Sequence, residues 1–224
     1  MRRISFVLFA FLLLTNVSWA SCPEGQEEND RSGECQSIPG WKKSSKESSP
    51  KTIKLDSYDI ESTLPSTAPK WKNNPIKVEA TWSFPSEGIQ PYPLVIYLLS
   101  SGGYSSGYDG KWIKWFNNQG FATLWVNQYT ARGIPLSQGL GAKQTGMSDA
   151  SFISDTYAAI KVAKKDPRID PERIVTFGMS WGGGVQMYLM SQWFENRLGG
   201  SDVTIAGHIA LGPACYLTVE EPKP

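Results

Sequence analysis

The feature that most constrains the fold is a short motif, residues 178–182, in which a glycine lies two positions before and two positions after Ser180. It follows an apolar run with the composition of a buried strand, residues 174–177, and precedes a segment with helical spacing, residues 183–197. Glycines at these positions permit a tight strand-to-helix turn that lifts the serine above a sheet. The motif therefore predicts an α/β sheet with Ser180 exposed at its edge. The alternative is a glycine-rich turn in which the serine has no catalytic role.

Strand and helix patterns alternate along the rest of the chain. Residues 76–84 place an apolar residue at every even position, which is the period of an antiparallel strand with one solvent-facing side. Helical spacing occurs at residues 112–116 and again in a segment that Ser148 or Asp149 can cap. The strand candidates are residues 52–55, 76–84, 94–99, 121–126, 174–177 and 205–211. This order predicts a mostly parallel, doubly wound α/β sheet with an antiparallel N-terminal edge.

The N-terminus has the three parts of a secretory signal peptide. A pair of arginines is followed by an apolar run, residues 6–14, and then by small residues that end at Ala20. We therefore expect cleavage after Ala20 and a secreted or periplasmic protein with no membrane attachment beyond the signal peptide. A lipid anchor on Cys22 is the alternative.

The rest of the chain divides by composition into a polar segment, residues 21–50, and one folded domain, residues 51–224. In an exported protein we expect a disulfide between Cys22 and Cys35. Cys215 is then a buried free thiol, a cysteine with an external partner, or one whose partner is missing from this sequence. The formal charge of +1 gives no attraction to nucleic acid, and one histidine with scattered acids predicts no metal site.

Ser180 is the candidate nucleophile, and such a serine needs a base and donors for an oxyanion. The first expected donor is the backbone N–H of Trp181, at the start of a helix. The second is expected in the loop after the apolar run 94–99, where Ser101 is the better candidate and a plain flexible turn is the alternative. Two roles are open for Arg132: binding a substrate carboxylate, or bonding backbone carbonyls of its own loop.

Four segments carry a family resemblance. Residues 169–183 are similar, almost position by position, to the approach to the nucleophile in the dienelactone hydrolase family of the α/β-hydrolases. Residues 155–160 resemble the preceding helix, residues 129–133 the Arg-Gly loop after the fourth strand, and residues 209–215 the sixth strand and its exit. The resemblance implies an α/β-hydrolase fold and cofactor-free hydrolysis of a small carboxylic ester or lactone through an acyl-Ser180 intermediate.

The chain departs from that family in its catalytic groups. The enzymes that name the family use cysteine where Ser180 stands, and relatives often carry His-Gly where this chain has Leu99 and Ser100. In this fold the acid and the histidine follow the nucleophile, but the one histidine, His208, lies inside the last strand candidate. We therefore expect about six of the eight strands, a sequence truncated before the acid and base, and no activity of this chain by itself. A non-catalytic binding protein of the same fold is the alternative.

Overall fold

The computed structural model describes residues 26–28, 35–37, 50–61, 72–136 and 147–213. The chain divides into two compact units, Met1–Gly40 and Trp41–Pro224. In the first unit, strand β1 (Gln26–Glu28) pairs antiparallel with strand β2 (Cys35–Ser37). The signal peptide, Cys22, Cys215 and the side chain of Cys35 lie outside the described residues, so what the sequence predicts for them stays a prediction.

The second unit alternates strands and helices. Its strands are β3 (Lys51–Glu61), β4 (Lys72–Ser83), β5 (Tyr92–Leu98), β6 (Ala122–Asn127), β7 (Ile169–Met179) and β8 (Gly207–Leu211). Its described helices are α1 (Asp109–Asn118), a 3₁₀ turn (Thr130–Arg132), α2 (Asp149–Ala163), α3 (Trp181–Leu189) and α4 (Gln192–Leu198). In the part of the chain that the structure describes, no helix has the length and apolar character needed to cross a membrane.

The six strands form one mixed sheet in the order β3-β4-β6-β5-β7-β8. Strand β4 runs antiparallel to both of its neighbours, whereas β6, β5, β7 and β8 are mutually parallel. The predicted fold class is confirmed: a doubly wound sheet whose N-terminal edge is antiparallel. Because β5, β6 and β7 are parallel, the loops that follow them meet at one edge of the sheet.

Helices cover both faces of this sheet. Phe177 in β7 contacts Trp112 and Phe116 of α1, with ring centroids 5.3 and 5.1 Å away. The preceding residue, Thr176, hydrogen-bonds Gln186 of α3. Successive side chains of a strand point to opposite faces, so α1 and α3 lie on opposite sides of β7. The buried core therefore extends on both sides of the parallel strands, as their continuous apolar runs predict.

Helix α2 packs beside α3 and begins as the sequence indicates. The Ser148 hydroxyl accepts a hydrogen bond from the Ser151 N–H at 3.1 Å, so Ser148 is the N-cap. The ring of Phe152 lies 5.3 Å from that of Trp181, the first residue of α3. The start of α2 is thus fixed against the turn that carries Ser180.

The predicted helix over residues 183–197 is wrong as one element, because the structure has two helices there. The break falls at Ser191, whose backbone is extended at φ −94° and ψ 118°. The Ser191 carbonyl accepts hydrogen bonds from the N–H groups of Phe194 and Glu195, both at 3.1 Å, and so begins α4. An apolar period of 3.6 continues across such a break, and the sequence pattern therefore does not reveal it.

Candidate active site

Ser180 occupies a sharp turn between β7 and α3. Its backbone has φ 53° and ψ −112°, and among the described residues it is the one non-glycine residue with positive φ. The turn is held on both sides: the Ser180 N–H donates to the Leu211 carbonyl at 2.9 Å, and the Ser180 carbonyl accepts from the Gly184 N–H at 2.8 Å. Such backbone conformations are costly and are concentrated at functional sites.

The glycines of the motif are required by close backbone contacts. A Cβ on Gly178 would lie 2.2 Å from the Gly182 carbonyl oxygen, and a Cβ on Gly182 would lie 2.7 Å from the Leu99 carbonyl oxygen. No side chain fits at either distance. The motif therefore fixes a turn in which helix α3 starts directly against the end of β5.

The loop with Ser101 lies at this same edge of the sheet. It forms a tight turn in which the Gly103 N–H donates to the Ser100 carbonyl at 3.0 Å. The Tyr129 hydroxyl donates to that carbonyl at 2.6 Å, and its ring centroid lies 6.4 Å from that of Trp181. Burial raises the pKa of Tyr129 above its usual range, so the phenol stays protonated as a donor. The loops after β5 and β6 thus meet beside the Ser180 turn.

Asp109 is a residue at this edge that the sequence analysis missed. Its buried carboxylate accepts hydrogen bonds from the Tyr97 hydroxyl at 2.8 Å and from the Ser105 N–H at 2.7 Å. These bonds tie the loop after β5 to the strand that it leaves. An aspartate in the first turn of a helix is a weak sequence signal, because most such residues only complement the helix dipole.

Trp181 is held by its side chain. The indole is buried, and its Nε1–H donates to the carboxylate of Asp149 in the first turn of α2. Its backbone N–H belongs to the first residue of α3, where the helix dipole favours negative charge. This is the position that the sequence predicts for an oxyanion donor.

Arg132 is bound by two carboxylates and two backbone carbonyls. Its guanidinium bonds both oxygens of Asp155, at 2.8 and 3.1 Å, and its Nε–H donates to Asp59 at 2.8 Å. The remaining donors bind the carbonyls of Gln128 and Tyr58, so all five N–H groups are used. Burial opposes its charge, but the two carboxylates outweigh burial and raise its pKa. The substrate role stays a prediction, and the carbonyl-bonding alternative describes part of this network.

His208 lies within β8, in the position that the apolar pattern predicts. Its Nδ1 lies 2.8 Å from the Thr176 hydroxyl and 3.4 Å from Oε1 of Gln186. Burial lowers the pKa of His208 below its usual 6.5. Among the described residues, no side chain hydrogen-bonds to the hydroxyl of Ser180. The contacts of His208 are thus those of a residue that joins β8 to β7 and α3.

The lowered pKa of His208 predicts a dependence of stability on pH. His208 binds a proton more readily in the unfolded protein than in the folded one. The free energy of unfolding is therefore highest above about pH 6.5 and falls as the pH drops below that value. Urea denaturation at pH 7.5 and pH 5.5 measures this loss. We expect a smaller loss for His208→Gln, which cannot be protonated, and equal losses would contradict the assignment.

The strand order and the Ser180 turn together are those of the α/β-hydrolase fold. No protein-family model matches the chain, and no curated protein matches it in sequence. The described residues contain no cluster of three His, Cys, Asp or Glu side chains that could hold a metal ion.

Solved structures of α/β-hydrolases resemble this chain. The α/β hydrolase GrgF from Penicillium sp. sh18 is 20% identical with a TM-score of 0.45, and the match covers 73% of this chain and 46% of GrgF. Est1E from Butyrivibrio proteoclasticus, with ferulic acid bound, is 24% identical with a TM-score of 0.46, and the match covers 62% of this chain and 50% of Est1E. A dienelactone hydrolase-like promiscuous phosphotriesterase from metagenomic libraries is 15% identical with a TM-score of 0.41, and the match covers 61% of this chain and 52% of that protein. The chain spans about half the length of these proteins.

Proposed function

We propose that this chain carries the nucleophile of a serine hydrolase that cleaves a carboxylic ester or lactone. The observation that carries the proposal is the strained backbone of Ser180, at φ 53°, in a turn that only glycine neighbours permit. A serine held in this way presents its hydroxyl outside the sheet, beside the first N–H groups of a helix. Strain that close packing maintains at one polar residue is characteristic of catalytic turns.

The proposed reaction is acyl transfer to water in two steps. The Ser180 oxygen attacks the ester carbonyl, its proton passes to a base, and the alcohol leaves as an acyl-Ser180 ester forms. Water then attacks that ester and releases the acid. The backbone N–H groups of Trp181 and Ser101 are the proposed donors to the oxyanion of each step, and Tyr129 and Asp109 hold the loop that contains Ser101.

The described residues do not supply the base. His208, the one histidine in the sequence, bonds Thr176, and no described side chain bonds the Ser180 hydroxyl. The same observation favours a second candidate function, a binding protein that keeps the fold without the chemistry. Export directed by residues 1–20 and a Cys22–Cys35 disulfide are proposed for the hydrolase and for the binding protein alike, because the signal-like N-terminus is independent of the site.

A phosphonylating probe separates the two candidates. The protein purified from its natural source is expected to react with a fluorophosphonate at Ser180, located by mass spectrometry of the peptide, and Ser180→Ala should remove the label. The 224-residue chain alone is expected to hydrolyse p-nitrophenyl acetate no faster than its Ser180→Ala variant. Loss of the base costs roughly 10²- to 10⁴-fold in rate. An unlabelled natural protein without esterase activity would support the binding protein instead.

A further inference from the structure

A second concave site lies on the α1 side of the sheet. It is a cavity of about 630 Å³ between α1 and strands β4 and β6. Its lining residues Thr81 and Trp125 are paired across β4 and β6, and Ser83 lies in β4 near the amino end of β6. The cavity extends along α1 to the loops after β5 and β6, where Tyr104 and Leu136 line it. Ser180, Trp181 and Ser101 are not among its lining residues, so the cavity and the candidate active site are different surfaces.

One wall of the cavity is aromatic. The rings of Tyr104 and Trp125 are stacked, with centroids 4.8 Å apart and planes 21° from parallel. The backbone of Tyr104 is held by its N–H, which donates to the Leu136 carbonyl at 2.8 Å, and buried Ile113 of α1 adds apolar surface. Preformed aromatic walls of this kind favour a planar apolar group, because little side-chain entropy is lost when it binds.

The polar part of the cavity is positively charged. Its lining residues include one cation, Lys114 of α1, and no aspartate or glutamate. Among the described residues Lys114 has no ion-pair partner, whereas the lysines at 77 and 161 are paired with acids. The Asn117 amide is already hydrogen-bonded to Ser83 and to the Phe121 carbonyl. Lys114 is therefore the charged group that the cavity offers to a ligand. An anion is the complementary ligand.

We infer that this cavity binds a small aromatic carboxylate. The ligand ring packs on the outside of the stacked pair of Tyr104 and Trp125, and its carboxylate pairs with the ammonium of Lys114. The volume is within the range of about 300 to 1,000 Å³ that is usual for small-molecule sites, and it admits a substituted benzoate or a longer phenolic acid. The site needs no chemistry at Ser180, so it holds whether the protein is a hydrolase or a binding protein.

The test uses 4-fluorobenzoate as the probe and observes its ¹⁹F signal on titration with the purified chain. 4-Fluorobenzamide, of equal size and no charge, is the control ligand. We expect the acid to bind the wild type about fivefold to tenfold more tightly than the amide, which is the effect of one charge-assisted hydrogen bond. Lys114→Met should remove that difference, and Lys114→Glu should reduce binding of the acid further.

Two more variants locate the site. Lys111→Met changes an exposed lysine of the same helix that does not line the cavity, and it should leave both affinities unchanged. Trp125→Phe narrows the aromatic wall and should weaken the acid and the amide alike, by about threefold. Far-UV circular dichroism confirms that each variant is folded. Absence of binding to the folded wild type, or equal effects of Lys111→Met and Lys114→Met, would overturn the inference.

Discussion

Gly178→Ala is expected to destroy the turn at Ser180 and to lower the free energy of unfolding by about 3 kcal/mol or more. The new Cβ would lie 2.2 Å from the carbonyl oxygen and 2.3 Å from the carbonyl carbon of Gly182. Both are backbone atoms at the start of α3, so no rotamer change relieves the overlap. The helix would have to move from β7, which also breaks its contacts with the Leu98 and Leu99 carbonyls.

Urea denaturation of the purified chain measures this effect, and two glycines provide matched controls. In Gly207→Ala the new Cβ meets Val175 Cγ1 at an ordinary 3.7 Å, so little change is expected. In Gly120→Ala the Cβ meets nothing within 4 Å, but φ is +83°, so a loss of about 1 kcal/mol is expected from backbone strain. A Gly178→Ala protein as stable as Gly207→Ala would show that α3 does not start against β7.

The parallel part of the sheet is predictable from sequence because its strands are buried on both faces. Strand β5 is almost continuously apolar, β6 is apolar apart from its buried Thr123 and Asn127, and the amphipathic helix α1 separates the two strands. The antiparallel β4 follows from its alternation. Each of these signals is local, so a window of about ten residues reveals the strand, although β4 begins at Lys72, before the predicted residues 76–84.

The edge strand β3 is predictable only in part, because polar partners distant in sequence stabilise its second half. The sequence pattern indicates residues 52–55, but the strand extends from Lys51 to Glu61. Ser57 donates to Asp155 at 2.5 Å, and the Ile60 N–H donates to the Ser151 hydroxyl at 2.7 Å. These contacts span more than 90 residues, and the apolar pattern contains no trace of them.

The candidate site shows the same division between local and distant information. The position of Ser180 in its turn follows from the five residues of the motif and the elements beside it. The ion pairs of Arg132 do not, because Asp59 and Asp155 are 73 and 23 residues away. A guanidinium in a loop near the candidate active site suits a substrate carboxylate as well as a buried one, and the sequence does not show that Asp59 and Asp155 are within reach of it.

Asp155→Ala is expected to be the most damaging change away from the Ser180 turn, with a loss of about 3 to 5 kcal/mol in the free energy of unfolding. The Asp155 side chain is 0% exposed and that of Arg132 is 4% exposed. Removing the carboxylate leaves a buried guanidinium with Asp59 as its one acidic partner, and the Asp59 side chain is 40% exposed. The Ser57 hydroxyl also loses its acceptor. The desolvation of the charge then has no adequate compensation.

A double-mutant cycle with Arg132→Met isolates the pair. Each single variant leaves one buried charge without its main partner, whereas the double variant, Asp155→Ala with Arg132→Met, removes both charges. The double variant should therefore lose clearly less stability than the sum of the two single losses. Asp170→Ala is the matched surface control. Its partner Arg173 is 55% exposed and lies 2.7 Å away, so solvent screens the pair and only a small loss of stability is expected. Equal losses for Asp155→Ala and Asp170→Ala, or additive losses in the cycle, would mean that Arg132 does not join β3 to α2 and is free for another role.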